Sequence, residues 1–263
     1  MIRRFAPSVR VVLLFVLRVV LLAVHFVLAS LIGLLIGLCR PFNPDNSRLC
    51  ARVYSLPALW IMGCQVRLEI GDLIEHARPA VLAANHLSNH DLFVFGRVVP
   101  VRTVSLGKQS LKWIPLFGQL YWLAGNVLVN RGNALQAKKA MLTTTDTLQH
   151  KDMSLWVFVE GTRSHGKGLG PFKKGAFQMA INAQVPILPV CVNNYTRGMS
   201  LNRWRSTTIV IRALPPIATT GLTLDDLPTL MDACHAQMAA CIDELDREAG
   251  TTPHNVSAPI GPH

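Results

Sequence analysis

From residue 11 to residue 38 the chain is almost unbroken apolar sequence, with Arg18 and His25 as its only ionisable interruptions. The stretch from Val19 to Leu38 holds 20 residues, about 30 Å if helical, which matches the thickness of a bilayer's hydrocarbon core. The apolar part of a cleaved signal peptide is usually only about 7 to 15 residues long. We therefore expect residues 1–63 to form a helical membrane-anchoring segment. An α/β domain over 64–249 and a disordered tail over 250–263 follow.

The anchor has a topological problem to solve. Arg3, Arg4, Arg10 and Arg18 precede its apolar core, so the positive-inside rule keeps the N-terminus in the cytoplasm. A single crossing would export everything downstream. A two-helix monotopic anchor avoids this, turning near Ser30 or Gly33 and resting a second apolar patch, Leu56 to Met62, on the interface. The alternative is a true span with the domain outside.

Beyond residue 64 the pattern alternates. Val66, Leu68 and Ile70 lie two apart, as on a strand with one buried face. Further strands are predicted at Val81–Ala84, Thr103–Val104, Val127–Val129, Leu155–Val159, Ile187–Val192 and Thr208–Ile211. Helices are predicted at 91–98, 134–149, 172–183 and 224–248. This alternation implies an α/β fold, a mixed and largely parallel sheet covered by helices.

Charge and cysteines bound the surroundings. Residues 1 to 224 hold 25 Lys and Arg against 8 Asp and Glu, whereas the remainder holds 1 against 7. A basic body suits a membrane surface, a phosphate-bearing substrate or nucleic acid. Nucleic acid is disfavoured, because only 7% of residues are aromatic and none form a stripe with the basic ones. The six cysteines form no C-x-x-C pair, and most sit in apolar surroundings, as reduced buried thiols do.

The chemistry concentrates at Asn85-His86-Leu87-Ser88-Asn89-His90-Asp91, between two apolar runs. A strand that ends in a polar turn and reopens as a helix is where α/β folds place their sites. On one continuous helix His86 and Asp91 would lie roughly 140° apart. Ser88 and Asp91 read as a capping box, which leaves His86 on the turn and lets the carboxylate reach back to it. Such an Asp holds one ring nitrogen protonated and frees the other to take a proton from a hydroxyl. Two plainer readings compete: Asp91 only caps a helix, and His86 is an ordinary turn histidine. A metal site from His86, His90 and Asp91 would need His86 to be helical, against the cap.

Glu160-Gly161-Thr162-Arg163 directly follows another strand. Gly161 permits close backbone approach, and Arg163 offers a donor fork matched to phosphate, with Glu160 expected to orient the guanidinium. Arg131, just past the 127–129 strand, and Lys108 are further candidate phosphate contacts. The plain reading is a surface loop with a weak ion pair. Gly161 to Lys167 also fits the first seven positions of a P-loop, but Gly168 stands where Ser or Thr is needed, and Gly170-Pro171 breaks the required helix. No G-x-S-x-G nucleophile elbow occurs.

Four blocks come in order: Asn85-His86-x-Ser88-x-x-Asp91, Gly125 to Arg131, Phe158 to Arg163, and Val185-Pro186-Ile187-Leu188-Pro189-Val190. This series closely resembles the motifs of the glycerolipid acyltransferases, specifically bacterial-type 1-acyl-glycerol-3-phosphate acyltransferases, over roughly residues 65 to 217. One departure is Val159, where the family usually has Pro. The resemblance implies a catalytic pair, His86 and Asp91, with acceptor phosphate held by Lys108, Arg131, Glu160, Gly161, Thr162 and Arg163, and neither metal nor cofactor. The implied reaction moves a fatty acyl group from acyl-CoA or acyl carrier protein to lysophosphatidic acid at the cytoplasmic face of the inner membrane. Acylation of another lysolipid or of glycerol 3-phosphate, and non-catalytic binding of anionic lipid, are the alternatives.

Overall fold

The computed structural model describes residues 9–76, 78–130, 132, 142, 144–146, 148 and 151–251. Its centre is a seven-stranded sheet made of β1 (Cys64–Glu69), β2 (Val81–Ala84), β3 (Thr103–Lys108), β4 (Val127–Val129), β5 (Ser154–Phe158), β6 (Ile187–Val192) and β7 (Thr207–Ala213). The spatial order is β1-β7-β6-β2-β5-β3-β4. Among the described strands β6 and β7 pair antiparallel and the other strand pairs are parallel, with one isolated antiparallel bridge from Ile187 to Ile217.

The central strands read as continuous apolar runs because both faces are covered. Val81 and Ala83 of β2 join one core, under α-helices Lys174–Ala183 and Leu227–Glu248. Leu82 and Ala84 join the other, with Leu59, Val94 and Phe95. Phe177 is completely buried in the first core, so Phe177→Ala costs roughly 3–5 kcal/mol. The parallel set β2, β3, β4, β5 and β6 brings its carboxyl ends to one edge, where loops are free to carry chemistry.

The N-terminal segment differs from expectation at its turn. α1 (Val9–Cys39) is one continuous 31-residue helix, and the chain reverses only at residues 40–45, before α2 (Asn46–Ile61). Ser30 and Gly33 therefore lie inside a helix. Their small side chains permit close packing instead: the Ser30 hydroxyl meets the Tyr54 hydroxyl at 2.6 Å, and Gly33 faces Cys50 and Leu120. Ser30 also satisfies its hydroxyl on the Phe26 carbonyl one turn back, so the helix is not interrupted.

α1 is long and apolar enough to cross a membrane, and most of its large side chains are exposed. One stripe is docked on the domain along its length. The buried Arg18 guanidinium donates to the carbonyls of Leu201, Arg203 and Trp204 at 3.1, 2.5 and 2.8 Å. His25 meets the Tyr54 carbonyl, and Gly37 lies against Leu123 of a helix spanning Phe117–Leu123. Phe26, Tyr54 and Phe117 complete this contact with ring centroids 5.5 to 5.9 Å apart.

Elsewhere the helix predicted over 91–98 is shorter, Asp91–Phe95. The helix predicted over 134–149 falls largely outside the described residues. Thr251, assigned to the tail, is packed and bonds Asp246 and Asn193, while 252–263 lie outside the described residues. All six cysteines are free thiols.

Candidate active site

β2 delivers His86 to the carboxyl edge, and the helix Asp91–Phe95 begins five residues later. The turn between them lets the Asp91 carboxylate fold back onto it. Asp91 Oδ2 accepts from the amides of Leu87 at 2.7 Å and Ser88 at 3.1 Å, and it sits 2.5 Å from His86 Nδ1. Half of the expected capping box exists, the carboxylate on the Ser88 amide. The Ser88 hydroxyl accepts from the His90 amide instead of that of Asp91.

Burial makes this pair matter. The Asp91 side chain is 1% exposed and the His86 side chain 18%, so their interaction is poorly screened. The ring of Phe158, at the end of β5, stacks on the imidazole with centroids 4.0 Å apart and planes 14° apart. With Nδ1 on the carboxylate and one face on Phe158, Nε2 is the remaining functional atom. Among the described residues it has no hydrogen-bond partner.

The turn after β5 is laced to the turn after β2. The Ser164 amide donates to the His86 carbonyl at 2.8 Å, and the His165 amide to that of Leu87 at 3.1 Å. Arg163 therefore neighbours His86 across the strands, although 77 positions separate them in the chain. Gly161 takes φ +69°, a left-handed conformation that favours glycine.

Glu160 does something other than orient Arg163. One carboxylate oxygen accepts from the His86 amide at 2.8 Å and the other from the Gly170 amide at 2.9 Å. Both oxygens are thus committed to backbone donors beneath the rim, and the group is 4% exposed. Burial raises its pKa, opposed by those two amide bonds. The Arg163 side chain is exposed and pairs with no described residue, so it remains available to a ligand. Thr162 is likewise exposed.

Val159, the departure from the family pattern, has a backbone reason. Its amide donates to the Ala84 carbonyl at 3.1 Å, a bond that Pro could not make. Lys108, exposed at the end of β3, lies on the same edge, with its Cα paired to Val129 of β4. Arg131 lies outside the described residues; Asn130 before it closes the β4 end of that edge. The P-loop resemblance dissolves, because residues 161–173 form no helix and the next one begins only at Lys174.

A family model described as Acyltransferase matches residues 65–193, which takes in the His86, Asp91, Lys108, Arg131 and Glu160–Arg163 positions. A 1-acyl-sn-glycerol-3-phosphate acyltransferase of Salmonella typhimurium is 36% identical over 236 residues, covering 90% of this chain and 96% of the relative. The chain belongs to the 1-acyl-sn-glycerol-3-phosphate acyltransferases. The Escherichia coli acyltransferase of that name matches to the same extent, and the human alpha form is 34% identical over 80% of this chain and 74% of its own. The fold is that of the crystal structure of the LPA acyltransferase from Thermotoga maritima, with a TM-score of 0.69 at 20% identity, covering 91% of this chain and 99% of the other.

Within this acyltransferase, three residues that shape the site were not singled out as site residues in the sequence. Phe158 was read as strand and as the opening of the third motif, with no role of its own. Asn85 is buried and pairs its side-chain amide both ways with the Val192 backbone at 2.9 Å, extending the β2–β6 ladder by a side chain. Tyr195 is fully buried just past β6, and its hydroxyl donates to Asp91 Oδ1. Asn85 stands in the first motif and was findable there. Tyr195 lies 104 residues from Asp91 and outside every motif, so only the fold reveals it.

Proposed function

We propose that this acyltransferase moves a fatty acyl group from an acyl thioester to the 2-hydroxyl of 1-acyl-glycerol 3-phosphate, giving phosphatidic acid. The observation that carries the reading is the His86–Asp91 pair on the rim that also bears Arg163. Asp91 keeps the proton on Nδ1, so Nε2 accepts the hydroxyl proton as the oxygen attacks the thioester carbonyl. The tetrahedral adduct then expels the carrier thiolate, which takes the proton back from Nε2. A positioned base of this kind contributes about 10²- to 10⁴-fold.

Arg163, with Lys108 and Arg131, holds the acceptor phosphate, and Gly161 and Thr162 shape the turn that meets it. Fixing the phosphate brings the hydroxyl within reach of the base. Glu160 serves this site by tying the two turns together. The thioester carrier is coenzyme A or acyl carrier protein.

We further propose a monotopic seat on the cytoplasmic face of the inner membrane. Because α1 is docked on the domain from Arg18 to Gly37, it cannot cross a bilayer alone without drawing α2 and the Phe117–Leu123 helix in with it. Trp60, Trp113 and Trp204 are 76% to 81% exposed, and indoles of this kind favour the headgroup level.

The test is acyl transfer by purified protein in mixed micelles, with lysophosphatidic acid set against other lysolipids and glycerol 3-phosphate, and acyl-CoA against acyl carrier protein. Preference for another acceptor, or full turnover in folded His86→Ala, defeats the reading. For the anchor, a C-terminal reporter that is protease-accessible from outside sealed right-side-out vesicles defeats the monotopic form.

A further inference from the structure

Asp91 has a second oxygen, and what holds it reaches well beyond the pair. Tyr195 Oη donates to Asp91 Oδ1, and Ser88 Oγ lies 3.0 Å from Tyr195 Oη. Ser88 Oγ also lies 3.2 Å from His90 Nδ1 and accepts from the His90 amide. Each hydroxyl has one proton, and that count sets the direction of every bond. A carboxylate only accepts, so the tyrosine proton goes to Asp91. Ser88 must then give its proton to Tyr195, and the His90 ring must donate from Nδ1 to Ser88. The result is a one-way chain of donors, His90 to Ser88 to Tyr195 to Asp91, with every dipole aimed at the carboxylate.

We infer that Tyr195, supported by Ser88 and His90, is a positioning residue that sets both the orientation and the proton affinity of His86 by sharing the charge of Asp91. The inference rests on the reading of His86 as the base. Asp91 accepts four bonds in all: two amides and the imidazole on Oδ2, and the tyrosine on Oδ1. Charge drawn to Oδ1 is withdrawn from Oδ2, which weakens its pull on an imidazolium. Aligned bonds polarise one another, so the chain delivers more than one isolated hydroxyl would. Burial and the neighbouring Asp91 raise the Tyr195 pKa, and burial lowers that of His90, so the tyrosine stays protonated and the histidine neutral near pH 7.

The chain ends at a wall. Ser88 and His90 line a cavity of about 360 Å³ with His165 and Arg197, so its outer end lies near solvent while its inner end is sealed. The titratable groups facing this network are Glu160 from the turn after β5, His165 and Arg197 across the cavity, and Cys64 beside Tyr195. None of them supplies a second donor to Oδ1.

Tyr195→Phe keeps the ring and removes one oxygen. We expect kcat to fall about 5- to 30-fold, KM for lysophosphatidic acid to stay within about twofold, and the acid limb of the kcat/KM profile to move up by several tenths of a pH unit. Ser88→Ala should shift the limb in the same direction by less, and Ser88→Thr, which keeps a hydroxyl, should restore it. A folded Tyr195→Phe with wild-type kcat and an unmoved profile overturns the inference. So does a fall in kcat with an unmoved profile in both Tyr195→Phe and Ser88→Ala, since that is a packing effect alone. Should Tyr195→Phe fail to fold, the Ser88 pair carries the test by the same criteria. His86→Ala separates the two ideas: retained turnover there removes the base reading and this inference with it, whereas a dead His86→Ala beside an unaltered Tyr195→Phe removes only the inference.

Discussion

The two turns that meet at the carboxyl edge are built on opposite principles. The turn after β2 is saturated, with the Asp91 carboxylate buried under four donors and the imidazole stacked on Phe158. The turn after β5 fixes its backbone through Glu160 and the Ser164 and His165 amides, yet leaves Thr162 and Arg163 exposed. The contrast matches what the proposed function asks of each turn. A base has to be oriented before substrate arrives, because misalignment costs rate directly. A cation for phosphate is better left hydrated, since burying it without its partner would cost several kcal/mol.

The widest break in that contrast comes from His86→Ala, expected to lower kcat by about 10²- to 10⁴-fold with its unfolding temperature nearly unchanged, read by acyl transfer and calorimetry together. Asp91→Asn should follow, at about 10²-fold or more. Its amide nitrogen cannot accept at all, so whichever side it takes, the imidazole with its two amides or Tyr195 faces a donor, and unlike His86→Ala it should also lower thermal stability. Arg163→Ala sharpens the comparison from the other side: KM for lysophosphatidic acid should rise about tenfold, near 1.4 kcal/mol, with kcat little changed and weaker dependence on salt. An equal fall in kcat would mean the turn after β5 is as preorganised as its neighbour.

Glu160→Gln should give the smallest effect on turnover and a lowering of stability by about 1–3 kcal/mol, because the new amide group faces a backbone donor. Its pH dependence has a definite sign. Burial raises the Glu160 pKa in the folded protein, so the stability linked to its proton is present at acid pH and is lost as pH rises through that raised value. The advantage of the wild type over Glu160→Gln in thermal unfolding should therefore shrink as pH climbs above the ordinary carboxylate range.

The fold was legible where burial writes a period into the chain. Every strand of the sheet announced itself, from the alternation of Val66, Leu68 and Ile70 to the wholly apolar Ile187–Val192. Local polar chemistry was legible only in part. Ser88 and Asp91 pointed to a fold-back, but the Ser88 hydroxyl went to the His90 amide and not to that of Asp91. Glu160 next to Arg163 looked like an ion pair, because adjacency in sequence says nothing of which side of a turn each group occupies. Ser30 and Gly33 looked like a hinge, since a small residue that breaks a helix and one that lets Tyr54 or Leu120 approach look the same in sequence.

By itself, then, the sequence determined an apolar N-terminal helix, a helix-covered sheet, and the residue types of the proposed base with its carboxylate and of the proposed anion-binding turn. These are properties of spacing and composition, which a linear chain carries intact. The tertiary structure decided which distant groups touch: Glu160 beneath His86, Tyr195 on the far oxygen of Asp91, and Arg18 on the carbonyls of residues 201, 203 and 204. Those contacts depend on strand order and loop path, and the energy that selects them comes from satisfying buried polar groups, for which neighbouring residues in the sequence hold no record.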